Sequence, residues 1–357
     1  MKDPLKILGF DHLEFAVGDL EEAAQPFLRL GFERWAERDL RERQLKSVLL
    51  VQNQISIVLS ATSLSGDPVK RFFDAHGPSL YKVALLCDDA LTAFQHAVNR
   101  GARILDSPRA LAKHFGTVEY ATVRFLTDLS LTFMSRQGNL FHEGFNVPSR
   151  SLNRGVGLHH IEHLGLNVEP EEWDSANLFL ETILGWQNIP THDWYGAPAH
   201  SSTWERSGPP SSSQIKITVN RPNGTHPKIE EALKIHHGSH WQHAAFATPD
   251  IIDTMKSLKK EAVPFLVTPP SYYESLAERP GQLKENVSEL EVLGIQVDQS
   301  PSTYLLQSYT LPFLGAFFGE VVERREGNSL GANNFQGWLE ASERQPQRSG
   351  VIHAEPS

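Results

Sequence analysis

The stretch FDHLEFAVGDLEEAAQPFLRLGFERW, residues 10–35, recurs in outline as IEHLGLNVEPEEWDSANLFLETILGW, residues 161–186. In each copy, apolar and polar residues first alternate, as in a strand, and then recur with helical spacing. Gly31 is placed to end the first helix. Because an internal repeat governs the whole architecture, we predict two tandem halves, each built from two strand–helix–strand–strand–strand units.

Two further pairs of segments extend the repeat on either side. They are VKRFFDAHGPSLYKVAL (69–85) with IEEALKIHHGSHWQHAAF (229–246), and LTFMSRQ (131–137) with GEVVERR (319–325). The predicted fold class is therefore α+β, with two tandem halves of paired βαβββ modules whose curved mixed sheets enclose a site.

The periodic pattern fades between the two halves, in GNLFHEGFNVPSRSLNR, residues 138–154. Turn-forming and polar residues without periodicity indicate a connection. We therefore predict an N-terminal domain over residues 1–148 and a C-terminal domain over residues 149–357.

One buried acid points to the chemistry. In FLGAFFGEVVERREG, residues 313–327, Glu320 lies within an apolar run that predicts a buried strand. An isolated carboxylate there costs several kcal/mol unless a partner holds it, and a metal ion is such a partner. His163 and His243 lie on two other predicted strands of the same half. Two histidines and one carboxylate are the ligand set of non-haem Fe(II) oxygenases, so we predict an Fe(II) site.

The repeat restricts this site to the second half. The matching positions of the first half hold His12, Lys82 and Thr132, and lysine is a poor ligand because its amine is protonated at neutral pH. The first half is therefore predicted to be free of metal.

Each ligand residue also has a simpler interpretation. Either histidine could be a hydrogen-bonded core residue, and Glu320 could face water from an edge strand. Strand alternation places His163 and Ile161 on one face and His160 and Glu162 on the other. The coincidence of three repeat-matched positions favours the metal site.

Composition excludes several other classes. The net charge of −10 argues against nucleic acid or an anionic membrane as partner. No apolar run reaches the ~20 residues of a membrane helix, and the start MKDPLKILGF lacks the apolar core of a signal peptide. With Cys87 alone, neither an internal disulfide nor a cysteine zinc cluster can form. These features predict a cytoplasmic protein.

Several motifs resemble those of a known family. QHAAFATPDII, PFLVTPPSYYESL, YLLQSYTL, FFGEVVERREG and LGANNFQGWLEASERQ are similar to segments of the 4-hydroxyphenylpyruvate dioxygenase family, within the vicinal-oxygen-chelate superfamily. The similarity covers nearly the whole chain and is strongest from Trp241 to Val351. GVGLHHIEHLGLNV matches the family's first-ligand strand at His163, whereas the first half matches only in pattern.

The resemblance implies a set of substrate-contacting residues. Gln307 and Asn220 would have catalytic roles, and Gln242 precedes the second ligand as in the family. Ser202 is the predicted serine of the site, with Ser201 as the alternative. The remaining implied residues are two phenylalanines that sandwich the substrate ring and the start of a C-terminal helix that covers the site: Phe318, Phe335, Gly331 and Asn334.

The implied reaction converts 4-hydroxyphenylpyruvate and O2 to homogentisate and CO2, with the substrate supplying its own 2-oxo acid, in a homo-oligomeric enzyme. Thr218 stands where the family usually has proline and where hydroxymandelate synthase tends to have threonine. Hydroxymandelate synthase, an extradiol ring-cleaving dioxygenase and a non-enzymatic binding protein are the alternatives. Asn220 and Phe335 favour ring hydroxylation, since the synthase tends toward isoleucine at both positions.

Overall fold

The computed structural model describes residues 5–113, 116–138, 140–142, 144–145, 155–189, 199–206, 215–224, 227–274, 276, 283–299 and 304–325. Within these ranges the first half contains eight strands: β1 (Ile7–Ala16), β2 (Glu33–Leu40), β3 (Leu45–Gln52), β4 (Ile55–Thr62), β5 (Ser79–Cys87), β6 (Ile104–Lys113), β7 (Gly116–Arg124) and β8 (Ser130–Gly138). Its helices are α1 (Leu20–Arg29), α2 (Pro68–His76) and α3 (Ala90–Asn99).

The second half repeats this order. Its strands are β9 (His160–Asn167), β10 (Gln187–Ile189), β11 (Ala199–Arg206), β12 (Ile215–Pro222), β13 (His240–Ala247), β14 (Gln296–Gln299), β15 (Tyr304–Tyr309) and β16 (Phe318–Arg325). Its helices are α4 (Trp173–Leu178), which continues as a π-helical turn (Phe179–Ile183), α5 (Pro227–His236), α6 (Ile251–Lys260), α7 (Pro270–Glu274) and α8 (Val287–Leu293).

The two sheets have the same topology. The strand order is β2-β3-β4-β1-β5-β8-β7-β6 in the first and β10-β11-β12-β9-β13-β16-β15-β14 in the second. Both central pairs, β1 with β5 and β9 with β13, are antiparallel, and each is flanked by parallel pairs. The predicted fold of tandem βαβββ modules in curled mixed sheets is thus confirmed. No helix in the described ranges is long and apolar enough to cross a membrane.

Local sequence explains where the helices begin. Asp19 accepts hydrogen bonds from the backbone N–H groups of Glu21 and Glu22, which caps α1. Asp89 accepts one from Thr92 N–H and caps α3. Each such cap stabilises a helix by about 1 kcal/mol.

One apolar core joins the halves. Phe15 of β1 packs edge-on against Phe317 with ring centroids 4.9 Å apart, and Phe32 packs against Phe246 of β13 at 5.9 Å. Burying each such ring contributes roughly 1.5–3 kcal/mol. The sheets therefore share a core on one side, and the opposite face of each remains for other contacts.

A cluster of buried histidines forms a second junction between the halves. His76 at the end of α2 stacks on His236 at the end of α5, and His236 lies against His240, with ring centroids 4.7 Å apart in both pairs. His236 and His240 each donate Nδ1–H to the Gly238 carbonyl, at 3.2 and 3.1 Å. Each Nε2 accepts a hydrogen bond, from the Ser79 hydroxyl and the Asn167 amide respectively. The partners thus match neutral rings.

Acid is expected to weaken the fold through this cluster. Burial, followed by the neighbouring histidines, lowers the pKa of His236 to about 2, and burial lowers that of His240 to about 4, from an ordinary 6.5. Below pH 6.5 the unfolded chain binds these protons while the folded chain does not. The contribution of these two histidines to the free energy of unfolding is therefore complete above pH 6.5. It is lost on acidification, by up to about 1.4 kcal/mol per pH unit for each proton.

Urea unfolding of wild type and His236→Gln between pH 7 and pH 5 tests this expectation. Glutamine retains a donor and an acceptor but does not titrate. The free energy of unfolding of the variant should therefore change less steeply with pH than that of wild type, by a slope that corresponds to almost one proton. His200→Gln, at an exposed position, is the control. Identical slopes for wild type and His236→Gln would show that the cluster plays no part in acid sensitivity.

Candidate metal centre in the second half

Strand register brings the three predicted ligands to one face of the second sheet. On β9, His163 is paired with Ala245 of β13, which is paired in turn with Glu320 of β16. His243 lies two residues before Ala245 and shares its face. We call this inner face of β9, β12, β13, β15 and β16 the second cup, and the corresponding face of the first sheet the first cup.

The ligand atoms of His163, His243 and Glu320 all lie within 4.8 Å of one another. Nε2 of His163 is 3.3 Å from Glu320 Oε2, and Nε2 of His243 is 3.5 Å from the same oxygen. Donors bound at right angles to one ion at about 2.1 Å lie about 3 Å apart, so this donor set fits a single metal ion with small adjustments. It is a candidate three-residue metal site, with the donor types of a 2-His-1-carboxylate centre.

A β-bulge precedes each histidine. The register passes from His163–Ala245 to Ile161–Phe246, so Glu162 is an extra residue on β9. Likewise it passes from Trp241–Leu166 to His243–Gly165, which makes Gln242 the extra residue on β13. A bulge redirects side chains. The strand alternation that placed Glu162 on the face opposite His163 is therefore wrong, because Glu162 lies beside it.

Gln242 orients the second histidine. His243 Nδ1–H donates to Gln242 Oε1 at 3.0 Å, which leaves the Nε2 lone pair directed toward Glu320. The Phe318 ring stacks on the His243 ring at 5.0 Å and 19°. Both contacts hold the plane of the imidazole ring. Gln242 and Phe318, which were predicted to contact the substrate, thus contact the predicted ligand His243.

Gln307 orients the carboxylate. Its side-chain amide donates to Glu320 Oε1 at 2.5 Å, which leaves Oε2 toward the two histidines. Tyr309 of β15 is the register partner of Glu320 and packs against Phe318 on this side of the cup.

Burial and charge shape the protonation of the site. Burial disfavours protonated His163, but the carboxylates of Glu320 and Glu162 outweigh it and raise its pKa to about 9. Burial and the neighbouring His163 hold the pKa of His243 well below its usual range. Although burial opposes it, contact with His163, Arg324 and Lys216 lowers the pKa of Glu162 well below its usual value, so this acid stays ionised.

A polar pair lies on β11 and β12, away from the ligands. The Ser201 hydroxyl donates to Asn220 Oδ1 at 2.7 Å, and the two residues are paired in register. Thr203 and Thr218 form a second hydroxyl pair at 3.2 Å. Asn220 and Thr218 therefore share a face with Lys216, the register partner of His163.

Ser202, the predicted serine of the site, faces away from the second cup. Its hydroxyl donates to Asn177 Oδ1 and it neighbours Trp204, whose indole N–H donates to the same oxygen at 2.7 Å. Trp204 belongs to the apolar core on the other side of the sheet. Alternation along β11 therefore directs Ser202 toward α4, and Ser201 is the serine that faces the cup.

The first half has no equivalent donor set at the matched positions. His12 is the register equivalent of His163, since Ala84 pairs with both His12 and Thr132 as Ala245 pairs with His163 and Glu320. Lys82 takes the place of His243, and its Nζ lies 3.1 Å from Glu14 Oε2. The predicted equivalence of His12, Lys82 and Thr132 thus agrees with the register. Phe141, in the predicted connection, packs against His12 at 5.1 Å.

Sequence reasoning missed two buried polar residues. Lys216, 2% exposed, alternates with Thr218 and Asn220, and that period of two was a usable signal. Gln296 is paired with Gln307 and donates to Thr268 Oγ1 at 2.9 Å, but its short strand gave no signal. The predicted site residues Gly331, Asn334 and Phe335, with the C-terminal helix, lie outside the described residues.

Comparisons with known proteins agree with this architecture. Residues 11–118 match the family model described as Glyoxalase/Bleomycin resistance protein/Dioxygenase superfamily. A solved structure, a mutant of 4-hydroxymandelate synthase from Streptomyces coelicolor, superposes with a TM-score of 0.80 at 24% identity, over 95% of this chain and 99% of that one. The fold is thus of the vicinal-oxygen-chelate class.

Two relatives are similar to the chain over nearly its whole length. The 4-hydroxyphenylpyruvate dioxygenase of Yarrowia lipolytica is 29% identical, over 96% of this chain and 93% of the relative. The 4-hydroxyphenylpyruvate dioxygenase of Pseudomonas aeruginosa is also 29% identical, over 98% and 97%. The chain therefore resembles 4-hydroxyphenylpyruvate dioxygenases over nearly its full length.

Proposed function

We propose that the protein is a 4-hydroxyphenylpyruvate dioxygenase that converts 4-hydroxyphenylpyruvate and O2 to homogentisate and CO2. The observation that carries the proposal is the convergence of His163, His243 and Glu320 in the second cup. The full-length similarity to enzymes of that name supports the choice of substrate. Extradiol ring cleavage would release no CO2, and a binding protein would consume no O2.

Fe(II) held by these three residues would supply open positions for chelation of a 2-oxo acid and for activation of O2. The chain's own part is to prepare those positions. Gln242 and Gln307 fix the donor atoms of His243 and Glu320 through hydrogen bonds of 3.0 and 2.5 Å. Because both amides are buried, the donors are arranged before substrate arrives, which lowers the cost of reaching a reactive geometry.

The rest of the cup suits an aromatic acid. Phe318 offers an apolar wall next to the proposed iron ligands, and the Ser201–Asn220 pair offers a hydroxyl and an amide to a phenol. We infer that the phenol end of the substrate is held near Asn220 while its oxo acid lies at the ligands.

Hydroxymandelate synthesis is the second candidate, and Thr218 is the observation that favours it. Its hydroxyl bonds to Thr203 within the second cup. Both reactions consume one O2 and release one CO2, so gas exchange cannot separate them. The decisive experiment is anaerobic reconstitution with Fe(II), addition of 4-hydroxyphenylpyruvate and O2, and chromatographic identification of the product. Homogentisate is expected; mainly 4-hydroxymandelate would overturn the assignment and leave the metal site intact.

Replacing Asn220 by isoleucine is expected to raise the fraction of benzylic product severalfold. The substitution removes the amide that accepts from Ser201 and leaves the ring less firmly aimed. Ser201→Ala should act in the same direction but more weakly, because Asn220 remains. The product ratio is measured for each purified variant under single-turnover conditions.

Ser202→Ala is the matched control, since Ser202 faces α4 rather than the cup. It should lower stability without altering the product ratio. An effect of Ser202→Ala equal to that of Ser201→Ala would contradict the proposed arrangement.

A further inference from the structure

The same three-residue constellation occurs in both halves of the chain. Asp11 on β1 is the extra residue of a β-bulge, because the register passes from Phe10–Leu85 to His12–Ala84. Glu162 is the extra residue at the matching place on β9. In each half a histidine follows the bulged acid. An arginine then lies on the strand that carries Thr132 or Glu320, four residues further along the chain: Arg136 on β8 and Arg324 on β16.

In the first half the acid connects the other two residues. Asp11 Oδ1 accepts from His12 Nδ1–H at 2.8 Å, and Asp11 Oδ2 accepts from Arg136 Nε at 2.7 Å. In the first half, Lys82 and Thr132 occupy the other two ligand positions, so His12 is not part of a metal-binding set. The Asp11–His12 hydrogen bond therefore forms there without a metal site. The bulge is the feature that allows consecutive residues to meet on one face.

In the second half the acid is held more firmly, by two cations. Glu162 Oε1 accepts from Arg324 Nη2 at 2.7 Å and from Lys216 Nζ at 3.2 Å. Its other oxygen, Oε2, lies 3.6 Å from His163 Nδ1 and has no hydrogen-bond partner among the described residues. A buried acceptor without a partner costs about 1–3 kcal/mol, and Nδ1–H of His163 is the group that can satisfy it.

We propose that Glu162 is the positioning residue of His163: it accepts Nδ1–H, fixes the ring tautomer and directs the Nε2 lone pair toward Glu320 and the metal. The inference rests on the metal site of the proposed function. Glu162 would act on His163 as Gln242 acts on His243, so each histidine ligand is oriented by the bulged residue that precedes it. Arg324 and Lys216 supply the charge that keeps the acid in place within a buried cup.

Metal affinity tests this role directly, in the metal-free full-length protein titrated with Co(II) and followed by visible absorption and calorimetry. Glu162→Gln should bind Co(II) about 10–100-fold more weakly, the usual effect of removing an outer-shell partner, with an altered Co(II) spectrum. Glu162→Asp should stay within about threefold of wild type, because an aspartate at this bulge makes the contact in the first half. Glu162→Asn, matched to it in size, should lose affinity as Glu162→Gln does.

Asp11→Asn is the control for merely structural effects. It removes the equivalent acid from the equivalent bulge and should lower the unfolding midpoint while leaving Co(II) affinity within about twofold. Equal affinity for acid and amide in either matched pair would overturn the proposal. If both Glu162 amides fail to fold while Glu162→Asp and Asp11→Asn fold, Glu162 is a structural charge and the proposal is also wrong. Failure of wild type to bind Co(II) would instead refute the proposed metal site.

Discussion

Alanine in place of His163, His243 or Glu320 is expected to abolish metal binding and turnover while the folded structure persists. Loss of an outer-shell partner alone weakens metal binding about 10–100-fold, so loss of one of three donors should weaken it by more than about 100-fold. The apolar core lies mainly on the other side of the sheet from these side chains, and each substitution removes a polar group from a cup. Calorimetric titration with Fe(II) under anaerobic conditions, together with circular dichroism, measures both quantities.

His12→Ala is the control for this prediction. His12 is at least as buried as the two histidines of the metal site and has its own acidic neighbour, yet its half offers Lys82 and Thr132 where the second half offers His243 and Glu320. The variant should lose some stability and keep Fe(II) affinity. Loss of iron in His12→Ala with retention in His243→Ala would refute the assignment of the site to the second half.

Period and repeat explain why much of the fold was predictable. The alignment of residues 10–35 with 161–186 depends only on spacing, and spacing sets both strand faces and sheet order. The match of His163 to His12 agrees with the register for the same reason. The prediction of a buried Glu320 was accessible too, because its four apolar neighbours, Phe317, Phe318, Val321 and Val322, cannot surround an exposed acid without exposing apolar surface.

Local irregularities explain what the sequence did not reveal. The bulges at Glu162 and Gln242 interrupt strict alternation. Each lies within an interval of three residues between core positions, Ile161 to Leu164 and Trp241 to Ala244, so assigning faces by a strict period of two gives the wrong face at Glu162. The sequence does not separate Ser201 from Ser202, because an inserted loop obscures which of them matches the family's serine. The register of β11 with β12, which pairs Ser201 with Asn220, makes the distinction. For Lys216, the period of two with Thr218 and Asn220 indicates its face, but its contact with Glu162 beside His163 is known only from the structure.

Replacing Gly165 by alanine is expected to eliminate metal binding without removing any ligand. Gly165 lies opposite His243 on the neighbouring strand, and a Cβ there would lie 2.1 Å from His243 Cε1 and 2.3 Å from Nδ1. The ring has no room to retreat, since Phe318 stacks on it and Gln242 holds Nδ1. Overpacking of this kind costs typically 1–3 kcal/mol, and moving the ring takes Nε2 away from Glu320. Co(II) affinity should fall more than about 100-fold.

The first half shows how the same place is filled when no metal ligand must fit. Glu14 occupies the position of Gly165, and its carboxylate pairs with flexible Lys82 across the strands. Gly9→Ala, whose Cβ would meet nothing within 4 Å, is the control and should bind Co(II) as wild type does. The double variant Gly165→Ala, His243→Ala should recover the stability lost by Gly165→Ala but not the metal, because the clash is then absent. Wild-type Co(II) affinity in Gly165→Ala would show that His243 is not a ligand in the observed geometry.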